Sequence, residues 1–347
     1  MKKRWIALLL IALLVLIMVT GCTGHTDEDD FSVAIDEEVK KEDPSKEEKN
    51  AEDEKQEDEP KVEFAEGEKS EQEMPAEDEK QEIKPAEEVD FCGFPLPDKN
   101  TDYSAGYLKV MSYNIKHLGS DSDKLDELAA YIKEADPDIL GLQEVDDNTG
   151  RNGKVSLAKI AETLGYEYYH MAPNIDYDGG TYGNALLSKY PITDSEAVDF
   201  YMIAMNDHNR SYCRYEIDVN GETLVVYNTH LTLGDSDTNA AELNQIFDEM
   251  KKDQYTLMLG DLNIRAEILE TYMDHKSFMC LNGGLDFSTV LYSFNSQNPS
   301  SSIDNIIVKR GGLEYYWNHE TGVGLETDKL PDISDHNPVY TWVKIPE

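Results

Sequence analysis

The chain has 347 residues, with 31 basic against 71 acidic side chains and a formal net charge of −40. So acidic a balance repels polyanions and gives no sign of tight nucleic-acid binding through charge alone, although bound divalent cations reverse that sign locally. One of the four cysteines stands at position 22 and three follow, Cys92, Cys213 and Cys280, so at most one internal disulfide is expected beyond it and a disulfide-built extracellular scaffold is excluded.

Lys2, Lys3 and Arg4 precede an apolar run of 15 residues from Trp5 to Val19, followed by small residues up to Cys22. That run is short of the roughly 20 residues that span a bilayer but suits a secretory signal. The sequence VTGC at 19–22 resembles a bacterial lipobox, which makes residues 1–22 a lipoprotein signal and Cys22 the lipidated N-terminus of the mature chain. An uncleaved membrane helix and a plain secretory signal are the competing readings. Acyl chains sharing one anchor would hold the protein at the extracellular face of the cell membrane, whereas a single chain binds only marginally.

Residues 23–100 carry 30 acidic and 10 basic side chains, few large apolar residues, and the heptapeptide AEDEKQE twice, at 51–57 and 76–82. Such a segment buries too little surface to offset its chain entropy, and like charge extends it. Pro44, Pro60, Pro75 and Pro85 would interrupt a helical stalk. A disordered acidic tether is therefore expected.

Residues 101–347 suit one α/β domain. The strand Leu108 to Tyr113 leads into Asn114 of MSYNIK, and Asp121 to Ala135 has a helical face of Leu125, Leu128, Ala129 and Ile132. The strand Asp138 to Val145 carries Glu144 in LGLQEV, and Val155 to Leu164 is the next helix. Strands are predicted at Tyr166 to His170, Asn184 to Leu187, Ala197 to Ile203, Arg210 to Val219 and Thr223 to His230, the last two joined by the turn Asn220-Gly221. His230 ends that run in YNTHL. A helix at Ala240 to Met250 precedes the strand Thr256 to Gly260, which opens on Asp261 and Asn263 of LGDLN. A helix at Ala266 to Tyr272 follows, then strands at Ile303 to Val308 with Asp304 of SIDNI, Gly312 to Trp317, and Val339 to Ile345 behind Asp335 and His336 of SDHNPV. Two blocks of strands, helix and strands suggest two sheets packed face to face with helices outside.

The ordered motifs, NTHL, GDLN and SDHNPV above all, resemble those of the endonuclease/exonuclease/phosphatase superfamily over nearly all of residues 107–344, and YDGGTYGNALLSKYPI at 177–192 is similar to a segment of its secreted bacterial members. The resemblance implies an α/β fold, a four-layered α/β/β/α sandwich with two mainly antiparallel sheets, and a divalent-metal-dependent phosphodiester hydrolase with its site at one open sheet edge. Such chemistry needs a cation on the phosphoryl oxygens, a positioned water and a group that steadies the departing oxygen. Glu144 is the expected principal ligand of Mg²⁺, with Mn²⁺ or Ca²⁺ as substitutes, assisted by Asn114 and Asp335. Asp261 and Asn263, two apart and so on one face of an extended segment, would align the nucleophile and bind the phosphoryl group. Asp304 would fix the tautomer of His336 and favour its protonated ring, and His230 would supply a second imidazole.

Arg210, Asn184 and Tyr182 are expected to bind substrate, while Arg214 lies outside or pairs with an acid. Ser302 and Asn305 replace a basic residue and an aromatic frequent at those places in the family, which weakens the case for tight polynucleotide binding. The expected enzyme is a monomeric, membrane-tethered extracellular nuclease acting on DNA or RNA. A phospholipase C or sphingomyelinase type activity on lipid head groups and a non-catalytic binding protein are the alternatives. The aromatic stretches YEYYH at 166–170 and LEYYWNH at 313–319 would stack on bases or dip into lipid, unless they are core.

Overall fold

A computed structural model describes residues 92, 102–103, 105–118, 122–201, 210–233, 236–269, 271–282, 290–316, 324–325 and 333–347, all within the unit Gln81–Glu347. The signal, the lipidation cysteine Cys22 and all of the tether but Cys92 lie outside the described residues. Among the described residues no helix is long and apolar enough to cross a membrane.

In chain order the elements are β1 Leu108–Asn114, α1 Ser122–Ala135, β2 Ile139–Asp147, α2 Leu157–Leu164, β3 Tyr168–Tyr177, β4 Gly180–Ser188, β5 Ile192–Asp199, β6 Ser211–Val219, β7 Glu222–His230, α3 Ser236–Met250, β8 Thr256–Asp261, α4 Ala266–Leu269, β9 Phe278–Cys280, β10 Asp304–Lys309, β11 Glu314–Tyr315, β12 Gly324–Leu325 and β13 Val339–Lys344. The first sheet runs β11-β13-β1-β2-β4-β3 with β12 also beside β13, and the second runs β5-β6-β7-β8-β10-β9. Each sheet is antiparallel apart from one parallel pair, β1 with β2 and β7 with β8. A helix, α1 or α3, bridges each parallel pair, as a parallel connection requires.

Side-chain alternation along the strands builds four layers. Val110, Leu257 and Leu259 belong to the core between the sheets, whereas Met111 and Tyr113 pack with the α1 and α2 residues, and Met258 packs with Leu243, Ile246 and Phe247 of α3. The α/β/β/α sandwich with two mainly antiparallel sheets is thus the observed fold. Helix α2 shows both of its signals: the Ser156 hydroxyl accepts from Lys159 N–H, and Gly165 closes the helix at φ 91°.

Several boundaries differ from expectation. The fifth strand is Ile192–Asp199 and not Ala197 to Ile203, because its partner β6 sets its span by antiparallel pairing and Asp199 is already opposite Ser211. The helix after LGDLN stops at Leu269, and β11 covers two residues, with Trp317 outside the described residues. Strand β9, with only Phe278–Cys280 against β10, is too short for periodicity to reveal. Arg214 pairs with Asp253 at 2.8 Å and Glu216 at 2.7 Å, as expected of a residue off the site. Cys213 and Cys280 are buried free thiols.

Candidate active site

The topology gathers the motifs at one end of the sandwich. The parallel pairs place the C-terminal ends of β1 and β2 side by side, and likewise β7 and β8, so Asn114 stands opposite Gln143 and His230 opposite Asp261. Antiparallel β10 begins at the same level, with Asp304 opposite Asp261, and His336 closes the loop that enters β13. Gly260 lets β7 and β8 approach at this level, since a Cβ there would run into the carbonyl oxygen of Thr229.

Glu144 reaches the cleft through a bulge. Leu142 and Val145 both face the helices, with two residues between them where strict alternation allows one, and the pairing with β4 shifts there. Glu144 takes φ 56°, so Gln143 and Glu144 both turn toward the second sheet. Gln143 Nε2 donates to Asn228 Oδ1 at 2.7 Å, and Asn228 Nδ2 donates to the carbonyls of Leu142 and Ala185 at 3.1 and 2.9 Å. These buried amides clamp the two sheets directly beneath the site, a role that no motif announced.

Asn114 is the hub. Its Nδ2 lies 2.9 Å from Glu144 Oε1, 3.0 Å from Asp261 Oδ2 and 3.4 Å from His336 Nε2, while its Oδ1 accepts from the backbone N–H of Lys116 at 3.0 Å. One amide therefore ties together residues from both sheets. The Ser334 hydroxyl donates to the Asn114 carbonyl at 2.7 Å and accepts from His336 N–H at 3.1 Å, which docks the histidine loop on β1.

His336 Nδ1 stands 2.8 Å from Asp304 Oδ2, and the Phe294 ring lies 4.9 Å from the imidazole. Burial alone would lower the His336 pKa, but the Asp304 and Asp261 carboxylates and the Asp304 hydrogen bond outweigh it and hold the ring above the ordinary imidazole range. Asp261 is 1% exposed. Burial raises its carboxyl above the usual carboxylate range; Asp304 adds to this, against the opposing pull of His336, Asn263 N–H and the Asn114 amide. His230 Nε2 is 3.4 Å and His336 Nε2 3.6 Å from Asp261 Oδ2.

The LGDLN segment is not extended past Asp261. Asn263 has φ 49°, its N–H donates to Asp261 Oδ1 at 3.0 Å, and its Nδ2 donates to the Leu231 carbonyl at 2.9 Å. The Asp261 side chain thus closes a turn on the Asn263 backbone, and the two residues do not share a face by the alternation that sequence spacing suggested.

Asp335 joins the rim, with Oδ2 3.0 Å from Lys116 Nζ and Oδ1 4.0 Å from His336 Nε2. Asn184 lies opposite the bulge, 1% exposed, with a buried Nδ2 that finds no partner among the described residues. Tyr182 is buried near the Arg151 guanidinium, 5.3 Å from its ring centroid, and Arg210 immediately precedes β6 at the site end. Ser302 and Asn305 are absorbed locally: the Ser302 hydroxyl donates to Glu267, and Asn305 Nδ2 to the Ser302 carbonyl.

The described parts of the two aromatic stretches stand elsewhere, Trp317 to His319 lying outside the described residues. Tyr168 pairs with Ser188 and Tyr315 with Val343, at the opposite end of the first sheet, and Tyr166 is buried with its hydroxyl on the Pro137 carbonyl. Among the described residues, Tyr292 is 42% exposed ahead of β10, and Tyr201, 85% exposed past β5, lies by α3, its N–H donating to Gln245 Oε1 at 3.0 Å.

Hard oxygen donors dominate this end of the molecule and suit a divalent ion such as Mg²⁺. Four carboxylates converge on it, from Glu144, Asp261, Asp304 and Asp335, and Asp304 Oδ1 is buried with no partner among the described residues. Ligand atoms of Asp261, Asp304 and His336 lie within 4.8 Å of one another. This trio shares no residue with the expected set of Asn114, Glu144 and Asp335, which is joined to it through Asn114.

A profile described as the Endonuclease/Exonuclease/phosphatase family matches residues 111–336. The uncharacterized protein YbhP of Escherichia coli is 28% identical over 182 residues, covering 48% of this chain and 70% of that protein. The endonuclease/exonuclease/phosphatase of Beutenbergia cavernae superposes with a TM-score of 0.55 at 20% identity, covering 69% of this chain and 72% of the other. Beta toxin from Staphylococcus aureus, a mutant with bound magnesium ions, superposes with a TM-score of 0.51 at 17% identity, covering 68% and 99%.

Proposed function

Because the chain belongs to the endonuclease/exonuclease/phosphatase family, whose members hydrolyse phosphodiester bonds, we propose that it is a divalent-metal-dependent phosphodiesterase with nucleic acid as its substrate, held at the extracellular face of a cell membrane through Cys22. The observation that carries the catalytic part is the single Asn114 nitrogen within 3.4 Å of Glu144, Asp261 and His336, with Asp304 behind His336 at 2.8 Å. Glu144, with Asn114 beside it and Asp335 at the rim, would hold the ion. When bound, a divalent ion supplies Lewis-acid stabilisation of charge on the phosphoryl oxygens. Magnesium is the proposed ion, supported by the oxygen-rich donor set and by the magnesium bound to the beta toxin.

The protein's own groups divide the remaining work. Asp261 aligns the attacking water, and its buried carboxylate becomes a stronger base as its pKa rises. His336, kept protonated by Asp304, meets the charge that develops on phosphate, and His230 and Asn263 bind the phosphoryl group. Tyr292, 42% exposed and two residues before the Phe294 ring that lies against His336, offers a ring face for bases.

The full chain is tested on bis(4-nitrophenyl) phosphate with Mg²⁺, Mn²⁺, Ca²⁺ or chelator, and then on plasmid DNA, RNA and sphingomyelin. Turnover that needs a metal and favours DNA or RNA is expected. Faster cleavage of sphingomyelin would replace the nuclease reading with a lipid phosphodiesterase, and silence under every metal would leave a binding protein. For the anchor, Cys22→Ser is expected to lose palmitate labelling and move the protein from the membrane fraction to the medium; retention at the membrane would refute lipidation at this cysteine.

A further inference from the structure

We infer that the ammonium of Lys116 is the second cation of this site: it holds Asp335 and contacts the phosphate ester, so that the pocket takes one divalent ion and not a pair. The inference rests on the phosphodiesterase reading and adds to it the number of ions and a substrate-binding residue. Lys116 follows Asn114 by two residues, and its Nζ lies 3.0 Å from Asp335 Oδ2. Asp335 Oδ1 is in turn 4.0 Å from His336 Nε2, the nitrogen that lies 3.4 Å from Asn114 Nδ2. The ammonium thus stands one carboxylate away from the polar centre that an ester must approach. The Lys116 and Asp335 side chains are 39% and 28% exposed, so a substrate can reach them.

Stability does not account for this ion pair. A pair so exposed contributes about 0–1 kcal/mol. Yet the backbone that presents it is strained: Lys116, His117 and Leu118 have φ of 43°, 49° and 58°, left-handed conformations that cost an ordinary residue roughly 1–2 kcal/mol each. The site itself holds that backbone, through Lys116 N–H on Asn114 Oδ1 at 3.0 Å and His117 N–H on the Glu144 carbonyl at 2.9 Å. Strain held in place by Asn114 and Glu144 while one ammonium is aimed at the cleft is what a functional cation requires.

Charge and space agree. Paired ions of two-metal sites stand about 3.5–4 Å apart and share carboxylates. A second ion placed against Asp335 would compete with the ammonium for Oδ2, and Asp304, whose Oδ2 is bonded to His336, has only Oδ1 to offer. One divalent ion and Lys116 offset the charge of Glu144, Asp261 and Asp335.

The test loads the full chain with Mn²⁺ and records its electron paramagnetic resonance spectrum, with Glu144→Ala as the control that separates the site from ions on the acidic surface. A site signal from one isolated ion, lost in Glu144→Ala, is expected. Lys116→Gln should keep that signal and its Mn²⁺ affinity while lowering kcat/KM on bis(4-nitrophenyl) phosphate by about tenfold to hundredfold, the worth of one charge-assisted contact. A spin-coupled pair of ions in the wild type, or a Lys116→Gln rate within twofold of wild type, would overturn the inference and leave the phosphodiesterase standing. A signal indifferent to Glu144→Ala would instead remove the metal reading beneath it.

Discussion

Replacing His336 with alanine is expected to lower kcat by about three orders of magnitude, from the loss of the group that faces the developing charge, and to destabilise the fold as well. The destabilisation follows because Asp304 is 1% exposed and its carboxylate has His336 as its side-chain partner at 2.8 Å. Removing one partner of a buried pair strands the other charge, at about 3–5 kcal/mol. The double variant His336→Ala/Asp304→Asn should therefore regain much of the lost thermal stability and none of the turnover. Stability has a direction in pH too. A ring held above its ordinary pKa in the folded state contributes stability that is fully present below the ordinary imidazole range and is lost as pH rises into the alkaline range. That alkaline loss should be absent from both variants. Thermal melts from pH 6 to 10 (roughly spanning that range) beside single-turnover rates check the set, and an active His336→Ala enzyme would remove this residue from the mechanism.

The residues that converge at this end of the sandwich were easier to read from the sequence than the backbone that delivers them. Asn114, His230, Asp261 and Asp304 each end or begin a strand, so an apolar run closed by a polar residue was enough to find them. Glu144 was expected near the end of a strand closing at Val145, whereas β2 runs on to Asp147 and a bulge brings Glu144 to Asn114. Regular alternation would turn it toward the helices beside Leu142 and Val145, and only the bulge brings it round. Such a bulge leaves two adjacent polar residues, Gln and Glu, inside an apolar strand, a signal that is visible once the fold is known. Lys116 carried no signal, because a lysine after a strand reads as solvated surface. The Gln143–Asn228 clamp was hidden for a different reason: its partners are 85 residues apart and belong to different sheets. The aromatic stretches misled because aromatic density does not say which end of a strand a ring occupies; pairing of Tyr168 with Ser188 sends one of them to the far end.

Asp261→Asn is expected to lower kcat by about 10²–10⁴-fold for a reason that goes beyond loss of a base. The carboxylate accepts from two opposed donors, Asn114 Nδ2 on one oxygen at 3.0 Å and Asn263 N–H on the other at 3.0 Å. An amide offers one acceptor oxygen, so either flip sets its NH₂ against a donor, Asn114 or the Asn263 N–H. Hub and turn cannot both survive, and Glu144 loses its fixed neighbour. The pH dependence of stability should change as well. Burial holds the Asp261 carboxyl above its ordinary range, so its contribution is fully present below that range and is lost as pH rises toward neutrality. In chelator, the wild type should weaken across that interval while Asp261→Asn does not. Mg²⁺ should restore the wild type at pH 8 (about where Asp261 is ionised), since a cation replaces the proton beside the buried charges, and should do less for the variant, which keeps Glu144 and Asp335 but not the charge beside them. Equal Mg²⁺ responses in the two proteins, or a variant within tenfold of wild-type turnover, would show that the carboxylate is neither coupled to the ion nor needed to align the nucleophile.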